Sequence, residues 1–85
     1  MIRKEIVSKK DFNSRVIANL IKGLAIFNFN IFFELKNDIE NRQINAHSVI
    51  GLMSIGIRKN DRFFICVDNE NENRIDNVIT VINET

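Results

Sequence analysis

The chain has 85 residues, 45% hydrophobic and 27% charged, without proline; a chain this short buries only roughly 60–65% of its unfolded surface, enough for one core. A single domain over residues 1–85 is therefore expected. Twelve Lys and Arg against eleven Asp and Glu leave a net charge of +1, so no global field draws the chain to nucleic acid or to an anionic membrane. No apolar run approaches the roughly 18 residues of a spanning helix. The charges scattered through residues 1–10 do not make a signal peptide, and a cytoplasmic protein is expected. The chain has one cysteine, Cys66, and one histidine, His47, which excludes an internal disulfide and a Cys/His zinc cluster. Neither a metal nor another cofactor is expected.

In chain order, residues 1–7 alternate Ile2, Lys4 and Ile6 with Arg3, Glu5 and Val7, the period of a short strand. Asn13 and Ser14 are both suitable N-cap residues. From Ser14 the apolar residues Ile17, Leu20, Ile21, Leu24 and Ala25 recur at three- and four-residue spacing, which predicts an amphipathic helix ending near Phe27 and Asn28. Ile31, Phe33 and Leu35 alternate with Phe32, Glu34 and Lys36 as a second strand. Residues 37–41 are rich in turn formers, and residues 42–45 resume as a short strand, predicting a hairpin with a long loop.

Residues 48–55 form a compact apolar segment whose length does not separate strand from helix. A leading serine as N-cap favours a short helix, with Gly56 as the residue that ends it. Residues 62–67 read as a strand, with Phe63 and Phe64 facing opposite sides and Cys66 buried and inert. Residues 71–84 place Ile75, Val78, Ile79 and Ile82 on one helical face. The order β-α-β-β-α-β-α predicts an α+β fold with the helices on one face of an antiparallel sheet.

This order of elements resembles the HPr fold of the bacterial sugar phosphotransferase system. The segment Asn45-Ala46-His47-Ser48-Val49-Ile50-Gly51-Leu52-Met53-Ser54-Ile55-Gly56-Ile57 is similar to the stretch around that family's regulatory serine. The resemblance spans essentially the whole chain and implies an open-faced β-sandwich, a four-stranded antiparallel sheet with three helices on one face. It places Asn13-Ser14-Arg15-Val16 where the family carries a histidine, a small residue, an arginine and a proline. The arginine is kept; the histidine and proline are not. Two loops also depart from the family pattern: Lys10-Asp11-Phe12 replaces a small residue and a glycine before an apolar one, and the hairpin loop at residues 36–41 is longer by roughly four residues, as surface loops tolerate.

A phosphocarrier needs a nitrogen lone pair that can attack phosphorus and later leave, which an imidazole supplies. The amide nitrogen of Asn13 has its lone pair delocalised into the carbonyl, and His47, the one imidazole, sits before a different helix and not at the family's position, so the phosphorelay from phosphoenolpyruvate through this protein is expected to be lost, and Asn13 reads as a helix cap. The resemblance makes Ser48 a phosphorylation site for an HPr kinase/phosphorylase, and a phosphate there meets the first turn of a helix; a plain N-cap is the alternative. It also makes Val49, Ile50, Leu52 and Met53 contacts for a partner if they are exposed, with core packing the alternative. Arg15 could grip a partner carboxylate or phosphate or simply be solvated, and His47 could tune Ser48 through its charge. The function so implied is regulatory and non-enzymatic: an HPr-like protein of carbon catabolite control that, once phosphorylated, docks on a transcriptional regulator or an enzyme of sugar metabolism. A phosphocarrier using another acceptor residue and an unphosphorylated interaction domain are the alternatives.

Overall fold

The computed structural model describes residues 1–85. Its strands are β1 (Ile2–Val7), β2 (Ile31–Leu35), β3 (Ile44–Asn45) and β4 (Arg62–Val67), and its helices are α1 (Ser14–Leu24), α2 (Val49–Ile55) and α3 (Ile75–Glu84), the last preceded by a 3-10 segment, Asn69–Arg74. The sheet order is β1-β4-β2-β3 with every neighbouring pair antiparallel. β4 lies between β1 and β2, with Ile65 opposite Lys4 on one side and Phe33 on the other. The architecture is the expected α+β fold.

Alternation decides which side of the sheet is covered. Phe63, Ile65 and Val67 of β4 and Ile31 and Phe33 of β2 are buried beneath Ile17, Leu20 and Leu24 of α1, Leu52 and Ile55 of α2, and Ile75 and Val78 of α3. Each helix contributes residues at three- or four-residue spacing, so one stripe per helix is removed from water. α1 and α3 approach closely at Gly23, where a Cβ would stand 2.8 Å from Val81 Cγ1.

The other face of the sheet has no helix over it, and charged side chains close it instead. Arg3 on β1 reaches across β4 to Glu34 on β2 at 2.7 Å, its guanidinium 4.4 Å from the Phe64 ring centre. Glu34 also accepts from Gln43 at 2.6 Å. Glu5 pairs with both Lys36 and Arg62 at 3.0 Å, and hydrogen bonds from these two cations hold its carboxyl below the usual carboxylate range. Cys66 lies in register between Arg3 and Phe32 and is fully buried; burial, helped by the nearby Glu34 charge, pushes its thiol up to about 11. The thiolate is therefore scarce at neutral pH, as expected of an inert cysteine.

Three element bounds differ from the expectation. α1 stops at Leu24, where Phe27 N–H donates to the Leu24 carbonyl in a tighter turn and the Phe27 ring is buried in the core, 5.6 Å from Phe29. β3 has two residues rather than four because Asp38 holds Arg42, accepting from its backbone N–H at 2.9 Å and its Nε at 3.0 Å. The same contacts lower the Asp38 pKa and close the hairpin loop on itself before strand pairing begins. The last helix is split, with a kink at Asn71 (φ −108°, ψ 16°) and a regular α-helix only from Ile75.

The close contact at Gly23 is testable. Gly23→Ala should lower stability by about 1–3 kcal/mol in urea unfolding by overpacking the α1–α3 contact, and Val81→Ala in the same chain should recover part of that loss. A net gain from Gly23→Ala, of the size helix propensity alone would give, about 1 kcal/mol, would show that the helices part without cost.

Candidate functional site on the first two helices

The loop before α1 is held by its ends and its middle. Ser8 N–H donates to Asp61 O, and Asn60 N–H to Ser8 O, both at 2.8 Å. The buried Ser8 hydroxyl donates to Lys10 O at 2.6 Å. Asp11 Oδ1 accepts from Lys59 N–H at 2.8 Å. Phe12 N–H donates to Ile57 O at 2.8 Å, and its ring packs edge-on to Phe63 with centroids 5.9 Å apart and lies 6.3 Å from Phe33. The aromatic residue of this loop is thus an anchor in the core.

Directly after it, Asn13 is extended (φ −79°, ψ 175°) and its Oδ1 accepts from Val16 N–H at 2.9 Å. This is the N-cap role read from the sequence, and it occupies the amide oxygen as well as leaving the amide nitrogen without a nucleophilic lone pair. Arg15 is exposed in the first turn of α1 and forms no ion pair. Val16 is half-buried and lines an apolar hollow with Ile6, Phe12, Leu20 and Ile82.

α2 is capped by Ser48, whose Oγ accepts from Gly51 N–H at 3.1 Å, and ended by Gly56 in the left-handed region (φ 65°, ψ 39°), where a Cβ would cost roughly 1–2 kcal/mol. Gly51 lets the helix lie against β3, since a Cβ there would stand 2.8 Å from Ile44 Cγ2. Val49 (48%), Ile50 (82%) and Met53 (56%) are exposed. Leu52 is fully buried with Ile55, so it leaves the contact set: it is the i,i+3 partner of Ile55 on the core stripe and holds α2 to the sheet.

The two helices run in opposite directions. The end of α2 meets the start of α1 through Phe12 and Ile57, while the start of α2 meets the end of α1, where His47 Nε2 lies 3.1 Å from Leu24 O. Asn13 and Arg15 therefore sit at one end of the pair and His47 and Ser48 at the other, separated by the 11 residues of α1, about 16 Å at 1.5 Å per residue. Arg15 is not assembled with Ser48, and His47 cannot substitute for a side chain at position 13. Ile26 (71% exposed), at the His47 end, was not singled out from the sequence; its one signal is an apolar residue just past the α1 stripe.

This partition gives a paired expectation. Leu52→Ala should cost about 2–5 kcal/mol of unfolding free energy, whereas Ile50→Ala should stay within about 0.5 kcal/mol of the parent, measured by urea denaturation. Equal losses would mean that both residues belong to the core.

No curated protein matches the sequence. Among solved structures the fold is similar to HPr-C-His from Thermoanaerobacter tengcongensis, at 20% identity and TM-score 0.72, covering 99% of this chain and 89% of that one. It is also similar to a histidine-containing phosphocarrier protein of Mycoplasma, at 21% identity and TM-score 0.70, covering 98% and 89%. A third, phosphocarrier protein HPr from Bacillus anthracis strain Ames, matches at 20% identity and TM-score 0.68 over 94% of each chain. These likenesses establish the fold. The family model PTS-HPr, described as the PTS HPr component phosphorylation site, matches residues 2–84, and with nearly the whole length matched the chain belongs to the HPr family of the phosphotransferase system, whose members are phosphocarriers and not enzymes.

Proposed function

We propose that this chain is a regulatory HPr-like protein of the phosphotransferase system and of carbon catabolite control, in the cytoplasm, that has no phosphocarrier histidine at position 13 and is phosphorylated on Ser48 to dock on a partner. The modifying enzyme is an HPr kinase/phosphorylase, and the partner is a transcriptional regulator or an enzyme of sugar metabolism. The observation that carries this reading is the arrangement around Ser48. Its half-buried hydroxyl heads a helix whose outer side exposes Val49, Ile50 and Met53, while Asn13 is committed to capping α1.

A phosphate on Ser48 adds close to two negative charges and strong acceptor oxygens next to an apolar patch. A partner that supplies cations around an apolar pocket gains from both and discriminates the modified from the unmodified chain. Arg15, at the far end of the same surface, supplies a charge of opposite sign and fixes the orientation of docking. One observation supports a second reading, a phosphocarrier that uses an acceptor other than position 13: the sole imidazole, His47, is held by Leu24.

Incubation with ATP and an HPr kinase, followed by intact mass, should add one phosphoryl group to the parent chain and none to Ser48→Ala. An unmodified parent, with an ordinary HPr labelled in the same tube, would leave an interaction domain that keeps the fold without phosphorylation.

A further inference from the structure

We infer that His47 is a phosphoryl acceptor and that it reacts at Nδ1. The inference rests on membership of a phosphoryl-carrying family and names the residue that the second reading requires; it does not depend on Ser48.

The ring geometry carries it. His47 Nε2 lies 3.1 Å from the Leu24 carbonyl oxygen. A carbonyl can only accept, so Nε2 bears the hydrogen, and in the neutral ring the lone pair is then on Nδ1. Nδ1 makes no hydrogen bond; the only other bond of the residue is from its backbone N–H to Asn45 Oδ1 at 2.8 Å. The imidazole is therefore held in one tautomer and one orientation with its nucleophilic nitrogen unoccupied, the state an attacking histidine must reach before it can react.

The product is also favoured. Nδ1 attacks the phosphorus of a P–N donor, such as a phosphohistidine on another protein or a small phosphoramidate. The new N–P bond forms as the donor's N–P bond breaks, and its electron pair leaves on the donor nitrogen, which takes a proton. The His47 ring keeps its Nε2 hydrogen and becomes positively charged. Its hydrogen bond runs to a carbonyl in the last turn of an 11-residue helix, α1, the negative end of the helix dipole, which stabilises a neighbouring cation. A cationic ring is also a good leaving group, so the phosphoryl group remains transferable. Lys22, exposed in the same last turn of α1, adds a positive charge at that end of the helix.

The test uses the full chain and potassium phosphoramidate as donor, with N-acetylhistidine in the same tube as an untethered imidazole. Intact mass should show one phosphoryl group that is lost in acid, in contrast to an acid-stable phosphoserine. Phosphorus and nitrogen NMR should place it on Nδ1, while the free imidazole accumulates the Nε2 product. His47→Gln should abolish the label with an unchanged circular dichroism spectrum, and Ser48→Ala should retain it. Attachment at Nε2, a label that survives in His47→Gln, or no label while N-acetylhistidine is phosphorylated would each overturn the inference. The Ser48 reading is judged separately, by the acid-stable phosphate from ATP.

Discussion

The placement of the candidate residues at the start of α1 depends on Phe12. Its ring completes a cluster with Phe33 and Phe63, which are themselves 5.2 Å apart between centroids, and its backbone N–H ties the loop to Ile57, just beyond α2. One residue thus ties the start of α1 to the end of α2 through its backbone and to the sheet through its ring. Aromatic contacts at such spacings add about 0.5–1.5 kcal/mol each beyond burial. Phe12 follows directly on a polar, charged stretch that hydrogen bonds of Ser8 and Asp11 tie to residues 59–61, and its ring is the apolar anchor of the loop that delivers Asn13 and Arg15 to the surface.

With that end pinned, the antiparallel course of α1 and α2 sets the chemistry. Asn13 and the only imidazole of the chain lie at opposite ends of α1. His47 therefore does not stand near position 13. Ser48, His47 and the exposed Ile26 gather at one end, Arg15 at the other, and Val49, Ile50 and Met53 lie on the short helix that joins them. The outer face of the sheet is a different kind of surface: Arg3, Glu34, Glu5, Lys36 and Arg62 satisfy one another there. Each such exposed pair contributes little stability, but together they cover Cys66 and Phe64 and leave few charges seeking a partner.

Much of this was legible in the sequence because the signals are local. Asn13 and Ser48 were readable as caps, since a side-chain oxygen before an apolar run has few other roles, and Gly56 as the residue that ends α2, since only glycine takes its left-handed backbone without cost. What was hidden depended on tertiary contacts. Phe27 fits the helical spacing of α1, yet the chain turns at Leu24 because the ring is needed in the core beside Phe29 and beneath Arg74. Arg42 could have begun β3 had Asp38 not taken it. In the sequence Leu52 is not separable from its exposed neighbours, because four apolar residues in a helix of two turns cover both faces; the i,i+3 relation to Ile55 is the available signal. The His47 contact with Leu24 spans 23 positions and no sequence spacing announces it.

The proposed function makes the surface formed by the start of α1 and the exposed side of α2 the place where this protein meets its partners. Amide hydrogen exchange of the full chain, alone and saturated with an HPr kinase, tests it most directly. Exchange should slow in the first turn of α1 around Arg15 and along α2 from Val49 to Met53, with β1 and the hairpin loop at residues 38–42 unchanged. Protection confined to that loop or to the edge of β1 would contradict it and move the functional surface to the charged side of the sheet.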